Sequence, residues 1–195
     1  VFFLKRDLPE KVQKGLSGFA AGVMVAASIW SLLIPALEGA ADLGAWSFLP
    51  ATIGFWLGIL FLLLLDRLVP HVHLDGEQEG LRASLPRSMM VALAVALHNL
   101  PEGMAVGVVY AGSMQPEQVG SVSFASAFAL AVGIALQNVP EGAIVAMPLR
   151  QAGMSRVKAF TLGMLSGAVE PLGALLTIGL AAVFAPMMPV MLSFA

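Results

Sequence analysis

The chain has 195 residues, 58% of them hydrophobic and only 11% charged, where soluble domains carry roughly 25% charged residues. With a mean hydropathy of +0.89, this composition excludes a water-soluble globule, a disordered chain and a coiled coil, and the absence of cysteine excludes disulfides, thiolate zinc sites and cysteine nucleophiles. Ten basic against twelve acidic residues, a net charge of −2, leave no basic surface for nucleic acid; what remains is an all-α, polytopic membrane helix bundle.

Crossing a bilayer takes about 20 mainly apolar residues, and five stretches qualify: 15–37, 43–65, 88–112, 121–149 and 157–184. The chain opens on Val1 rather than Met, and Val1–Leu4 reads as the tail of an earlier apolar segment, as Met187–Ala195 reads as the start of another. The expectation is a single transmembrane domain over 1–195, incomplete at both ends. The first span holds no charge between Lys14 and Glu38. Its Met24, Ser31 and Glu38 recur every seven residues, which puts them on one face of an α-helix, with Ser28 beside them. They are read as lining of an outer route, with Glu38 at its mouth attracting cations. The second span is free of charge between Asp42 and Asp66. A polar loop over 66–87 follows, where His71 and His73 stand among Asp75, Glu77 and Glu79 as candidate loop ligands for a metal. The last three spans carry one acid each: Glu102, Glu141 and Glu170. Glycines four apart, at Gly18/Gly22, Gly54/Gly58, Gly103/Gly107 and Gly163/Gly167, allow close helix approach.

Threading the chain through these spans places every basic residue on one side. Lys5, Arg6, Lys11 and Lys14 precede the first span; Arg67, Arg82 and Arg87 lie between the second and third; Arg150, Arg156 and Lys158 lie between the fourth and fifth. The opposite connections, around Glu38–Trp46 and Gly112–Gly120, carry acids and no base. Because basic residues stay in the cytoplasm, the segment before Gly15 and the loop 66–87 are expected there.

The third and fourth spans share a motif. Ala96-Leu97-His98-Asn99-Leu100-Pro101-Glu102-Gly103 aligns with Ala135-Leu136-Gln137-Asn138-Val139-Pro140-Glu141-Gly142, 39 residues later. Consecutive spans run in opposite directions, so the repeat is inverted in the membrane, a design used by transporters whose sites lie near the midplane. The i,i+3 and i,i+4 spacings put His98, Asn99 and Glu102 on one helix face, and Gln137, Asn138 and Glu141 on the equivalent face of the next helix. Each proline removes an amide donor and frees or bends the backbone near Leu97 and Leu136. Glu170, followed by Pro171, adds a third carboxylate at similar depth. Ionisable groups cost several kcal/mol in hydrocarbon unless paired or hydrated, and no Lys or Arg lies in the interior of any span, Lys158 standing at the very start of the fifth. The missing positive charge must come from protons or a bound cation, and carboxylates with one imidazole suit a divalent transition metal such as Zn²⁺. Glu102 and Glu141 as bridges would hold two ions side by side.

These residues resemble the ZIP (Zrt/Irt-like) divalent-metal transporters, in their bacterial, GufA-like branch. The likeness covers essentially the whole chain as family spans two to six of eight. It implies a binuclear centre, with His98, Glu102, Gln137 and Glu141 forming one site and Asn99, Asn138 and Glu170 the second, sharing Glu102 and Glu141. It also places the Met24 thioether near the first site, makes the loop over 66–87 a metal-holding segment, and has family spans one, four, five and six, here the two hexad helices and the fifth visible span, slide as an elevator against a scaffold of the rest. The departure from the eukaryotic pattern is that Gln137 and Asn138 are neutral amides. Such a mixed shell suits a carrier, since conduction needs binding weak enough to leave. The function expected is carriage of zinc, with cadmium or iron as further substrates, into the cytoplasm across a bacterial inner membrane. The expected partners are divalent ions and the lipid bilayer, with a homodimer left open. Enzyme readings are weaker: an intramembrane metal-dependent hydrolase would use Glu170 as base but lacks His-Glu-x-x-His, and a di-iron oxidase wants two Glu-x-x-His pairs where this chain has one His-x-x-x-Glu.

Overall fold

The computed structural model describes residues 9–72, 78–81, 84, 87–114, 122–151, 153–183 and 185–195. It is a helix bundle in which five helical segments are long and apolar enough to cross a membrane. The first runs over Glu10–Glu38 and combines α1 (Glu10–Ala26), a π-helical stretch (Ala27–Leu33) and α2 (Ile34–Glu38). A 3₁₀ turn over Ala41–Trp46 reverses the chain, with Gly44 at φ 58° supplying the left-handed residue; this is why the second span, α3 (Phe48–Leu68), begins at Phe48 rather than where the charge-free window opens. Helices α4 (Arg87–Ser113) and α5 (Phe124–Gln151) carry the two hexads and run unbroken through Pro101 and Pro140. The fifth span is split into α6 (Arg156–Gly167) and α7 (Val169–Val183) by a break at Ala168. Pro171, which has no amide to give the Gly167 carbonyl, stands just past the split. A short α8 (Met188–Phe194) closes the chain. Among the described residues the only sheet is a two-residue antiparallel pairing of His71–Val72 with Gln78–Glu79.

Helix α4 is the axis of the bundle. The apolar window of its span is 44% buried, against 17% for that of α3, and its most extensive partner is α7. Glycine makes that contact. A Cβ at Gly103 would fall on the Glu170 backbone, one at Gly107 on Ala174 and Thr177, and one at Gly173 on the Leu100 carbonyl. Gly54 and Gly58 do the same for α3 against Val190, Ser193 and Phe194 of α8, and a Cβ at Gly163 of α6 would come 3.0 Å from the Gly142 carbonyl oxygen. Gly18 and Gly22, by contrast, meet nothing within 4 Å.

The core divides at the level of the hexads. Beyond Glu102 along α4 lies a dense apolar cluster with Ala105, Val108 and Val109, joined by Leu130 and Ile134 of α5, Leu32 and Ala36 of the first span, Ala181, Met188 and Leu192. On the other side of the hexads, toward the end of the bundle that carries Lys11, Lys14, Arg67, Arg150, Arg156 and Lys158, the buried cluster is smaller, a seam of Val145, Ala146, Leu149 and Ala159, with Ala20, His71 and Met90 buried apart from it. The outer surface stays apolar, with Trp56, Leu60 and Leu64 of α3 and Leu172, Leu175 and Leu176 of α7 all exposed, as lipid contact requires.

Candidate metal centre

The hexads of α4 and α5 face one another, and the fifth span closes on both through glycine: Gly103 against Glu170 and Gly142 against Gly163. Ligand atoms of His98, Glu102 and Glu141 lie within 4.8 Å of one another. Glu102 is buried, Glu141 half-buried and His98 exposed. Gln137 is fully buried between them and shares their cavity.

Eight buried side-chain atoms have no hydrogen-bond partner: Asn99 Oδ1, both Glu102 oxygens, Gln137 Nε2 and Oε1, Asn138 Oδ1, Glu141 Oε2 and Glu170 Oε1. Among the described residues, every such atom belongs to the hexads or to Glu170. Folded proteins leave few buried polar atoms unpaired, and each costs about 1–3 kcal/mol. Seven of these eight are oxygens, so the group is a set of acceptors gathered in one place with the Gln137 amide as its one free donor. A hard or borderline cation satisfies such a set.

Two of the amides are oriented by their neighbours. Asn99 Nδ2 donates to the Ser166 carbonyl at 3.1 Å, and Asn138 Nδ2 donates to Glu170 Oε2. Carbonyl and carboxylate oxygens only accept, so in both residues the NH₂ end is consumed and the oxygen end is left free for a ligand. The Ser166 carbonyl is offered where α6 ends, at the Ala168 break, so the break and the hexad hold each other in place.

A cavity of about 730 Å³ reaches the triad. Met24, Ala27, Ser28 and Leu32 of the first span line it, with His98, Pro101 and Glu102 of α4 and Gln137, Glu141 and Val145 of α5. Its remaining wall runs to Leu62, Leu65 and Asp66 of α3, His71, and Ala94 and Val95 of α4 toward the basic end, and to Ala105, Ile134 and Ala195 at the edge of the apolar cluster. Asn99, Asn138 and Glu170 are not on its wall; they sit behind the triad, against the fifth span. His71 is fully buried, donates from Nδ1 to the Val69 carbonyl at 2.8 Å and faces Asp66 Oδ1 at 3.1 Å from Nε2. His73 lies outside the described residues. Ser31 and Glu38 do not reach the cavity, although Met24 does. Glu38 ends the span on the far side from the cavity, and between Met24 and Ser31 the π-helix intervenes, whose i→i+5 winding breaks the seven-residue periodicity that would align them. Sequence reasoning also passed over Asp66, which as the first acid after a charge-free span, five residues before a histidine, carried a usable signal. Ser166, acting through its backbone carbonyl, carried none.

A family model described as ZIP zinc transporter matches residues 73–195. The zinc transporter ZIP11 of Homo sapiens is 33% identical, over 95% of this chain and 76% of its own length. The zinc transporter ZIPB of Bordetella bronchiseptica is 37% identical over 97% of this chain and 60% of its own, and the zinc transporter GufA of Myxococcus xanthus is 36% identical over 97% and 72%.

Proposed function

Since this chain belongs to the ZIP zinc-transporter family, and is thus a multi-pass membrane transporter of divalent metal ions rather than an enzyme, we propose that its ion crosses at the paired hexads and enters the cytoplasm. The observation that carries the reading is the set of unpartnered buried oxygens converging from three spans. Zinc is the substrate; cadmium and ferrous iron, with similar charge and ligand preference, are expected to compete.

Two ion positions follow from the two groups of ligands. The first has His98, Glu102, Gln137 and Glu141 on the cavity wall, with Met24 beside them. Two ligands held about 2.1 Å from one tetrahedral ion stand about 3.4 Å apart, so a pair at the triad's 4.8 Å needs to close by about 1.4 Å. The second position has the free oxygens of Asn99, Asn138 and Glu170, with Glu102 and Glu141 shared as bridges. Carboxylates and amides bind zinc less tightly than a closed thiolate or imidazole set, which suits an ion that must leave.

The basic end of the bundle is the cytoplasmic one, by the distribution of Lys and Arg, in a bacterial inner membrane. The loop over 66–87 then faces the cytoplasm, as does the open end of the cavity. The dense apolar cluster beyond Glu102 closes the opposite half, so this is the inward-facing member of an alternating pair. Asp66 and His71 lie at the exit, where the loop receives the ion. Ser31 and Glu38 belong to the outer route. A homodimer is the assembly expected.

The test is zinc uptake into proteoliposomes that hold the full-length protein and an internal metal-sensitive dye. Saturable flux is expected, lost in Glu141→Ala; bound zinc is expected to fall from two ions to one in Glu170→Ala. Folded Glu141→Ala that still carries zinc at the original rate would overturn the placement of the ion.

A further inference from the structure

The first span contains an irregularity that the hexads leave unused. Over Ala27–Leu33 it is wound as a π-helix, the Ile34 amide donating to the Ile29 carbonyl five residues back. Just beyond it Pro35 has no amide to offer the Ser31 carbonyl, so an α-ladder is already broken there. Such segments are rare and concentrate at functional sites, and this one forms cavity wall through Ala27, Ser28 and Leu32.

Its two flanks are held differently. On the outer side Leu32, Pro35 and Ala36 are buried, Leu32 and Ala36 within the dense apolar cluster. On the other side Ala20 is the one buried residue of α1, and Gly15, Gly18 and Gly22 meet nothing within 4 Å. The outer flank sits in the apolar cluster; the other is the less buried of the two and packs against α5, with Val23 beside Gly133.

A π turn holds one residue more than an α turn, so resolving it moves the less buried flank by one register step, about 100° of rotation and 1.5 Å of rise. The face observed on the cavity is Leu32, Ser28, Ala27 and Met24. Counted back from Leu32 at α spacing of four and seven residues, the same face is Leu32, Ser28 and Val25. The step exchanges Met24 for Val25, which is now 59% exposed.

We propose that the π segment of the first span is a register switch on the ion site: wound as π it presents the Met24 thioether to the His98–Glu102–Glu141 cavity, and rewound as α it withdraws the thioether and puts Val25 in its place. A soft ligand is thereby added or removed without moving the hexads. The inference rests on the reading of the cavity as the ion site only in giving Met24 something to bind.

The chain has no cysteine, so Met24→Cys and Val25→Cys each create a single reporter thiol in the full-length protein. In proteoliposomes, a membrane-impermeant maleimide applied at the basic end is expected to label both, Met24→Cys faster. Deleting Ile29 leaves an α-helix with both flanks in the observed register; it is expected to abolish labelling of Val25→Cys and keep that of Met24→Cys. A Val25→Cys that never labels while Met24→Cys does overturns the switch, as does undiminished Val25→Cys labelling in the deletion protein. If the deletion prevents folding, the two thiols in the undeleted chain decide alone. Labelling needs no ion flux, so absent zinc uptake with this labelling pattern intact counts against the carrier reading and not against the switch.

Discussion

Glu102 is buried with both oxygens unpartnered, a few ångströms from Glu141. The packing of α4 on α7 holds it there, with the Gln137 amide beside it. An isosteric amide keeps the shape and removes the buried charge, so Glu102→Gln is expected to melt, metal-free, at or above the parent temperature. A ligand at a hundred times its dissociation constant stabilises the folded state by about 2.7 kcal/mol, and this zinc-induced rise in Tm is expected to vanish in the variant. Thermal melts with and without zinc make the comparison. A variant that melts well below the parent but keeps the zinc response would make Glu102 a structural residue.

At the scale of elements, glycine decides which helices are locked and which are free. A Cβ at Gly103 lands on the backbone of Glu170, which has no rotamer with which to yield. Gly103→Ala must therefore part α4 from α7, at about 1–3 kcal/mol for an overpacked contact, and carry Glu170 away from the hexads. Gly18→Ala meets open space and replaces glycine by a helix former better by about 1 kcal/mol. Melts in detergent are expected to fall for the first and hold or rise for the second. Equal melts would show that the α4–α7 seam is not tight. The same contrast explains why four similar glycine pairs in the sequence play different parts: the spacing marks a smooth face but not whether a neighbour comes to it.

For the whole molecule, the asymmetry between its halves is the functional feature. Ala94 lines the cavity toward the basic end, and Val109 is 1% exposed in the opposite half. A single thiol at Ala94→Cys is expected to react with an impermeant reagent on the basic side, and one at Val109→Cys with reagent on neither. Reaction of Val109→Cys from the far side would mean that the apolar cluster does not seal.

The bundle, its five spans and the hexads were legible in the sequence because hydrocarbon imposes simple rules. Spans must be long and apolar, and an acid placed inside one is costly enough to be conspicuous. Helical spacing then put His98, Asn99 and Glu102 on one face, and the repeat at Gln137, Asn138 and Glu141 followed. Other features depended on partners distant in the chain. Asn99 finds the Ser166 carbonyl only because α6 ends at Ala168 beside α4, and Gly103 finds Glu170 only because α7 packs there. The face shared by Met24, Ser31 and Glu38 was a correct deduction from an α-helix, and the π winding of Ala27–Leu33 undid it. Periodicity assumes a regular α-helix, and only the folded structure shows that the winding departs from it here and which residues of the first span reach the cavity.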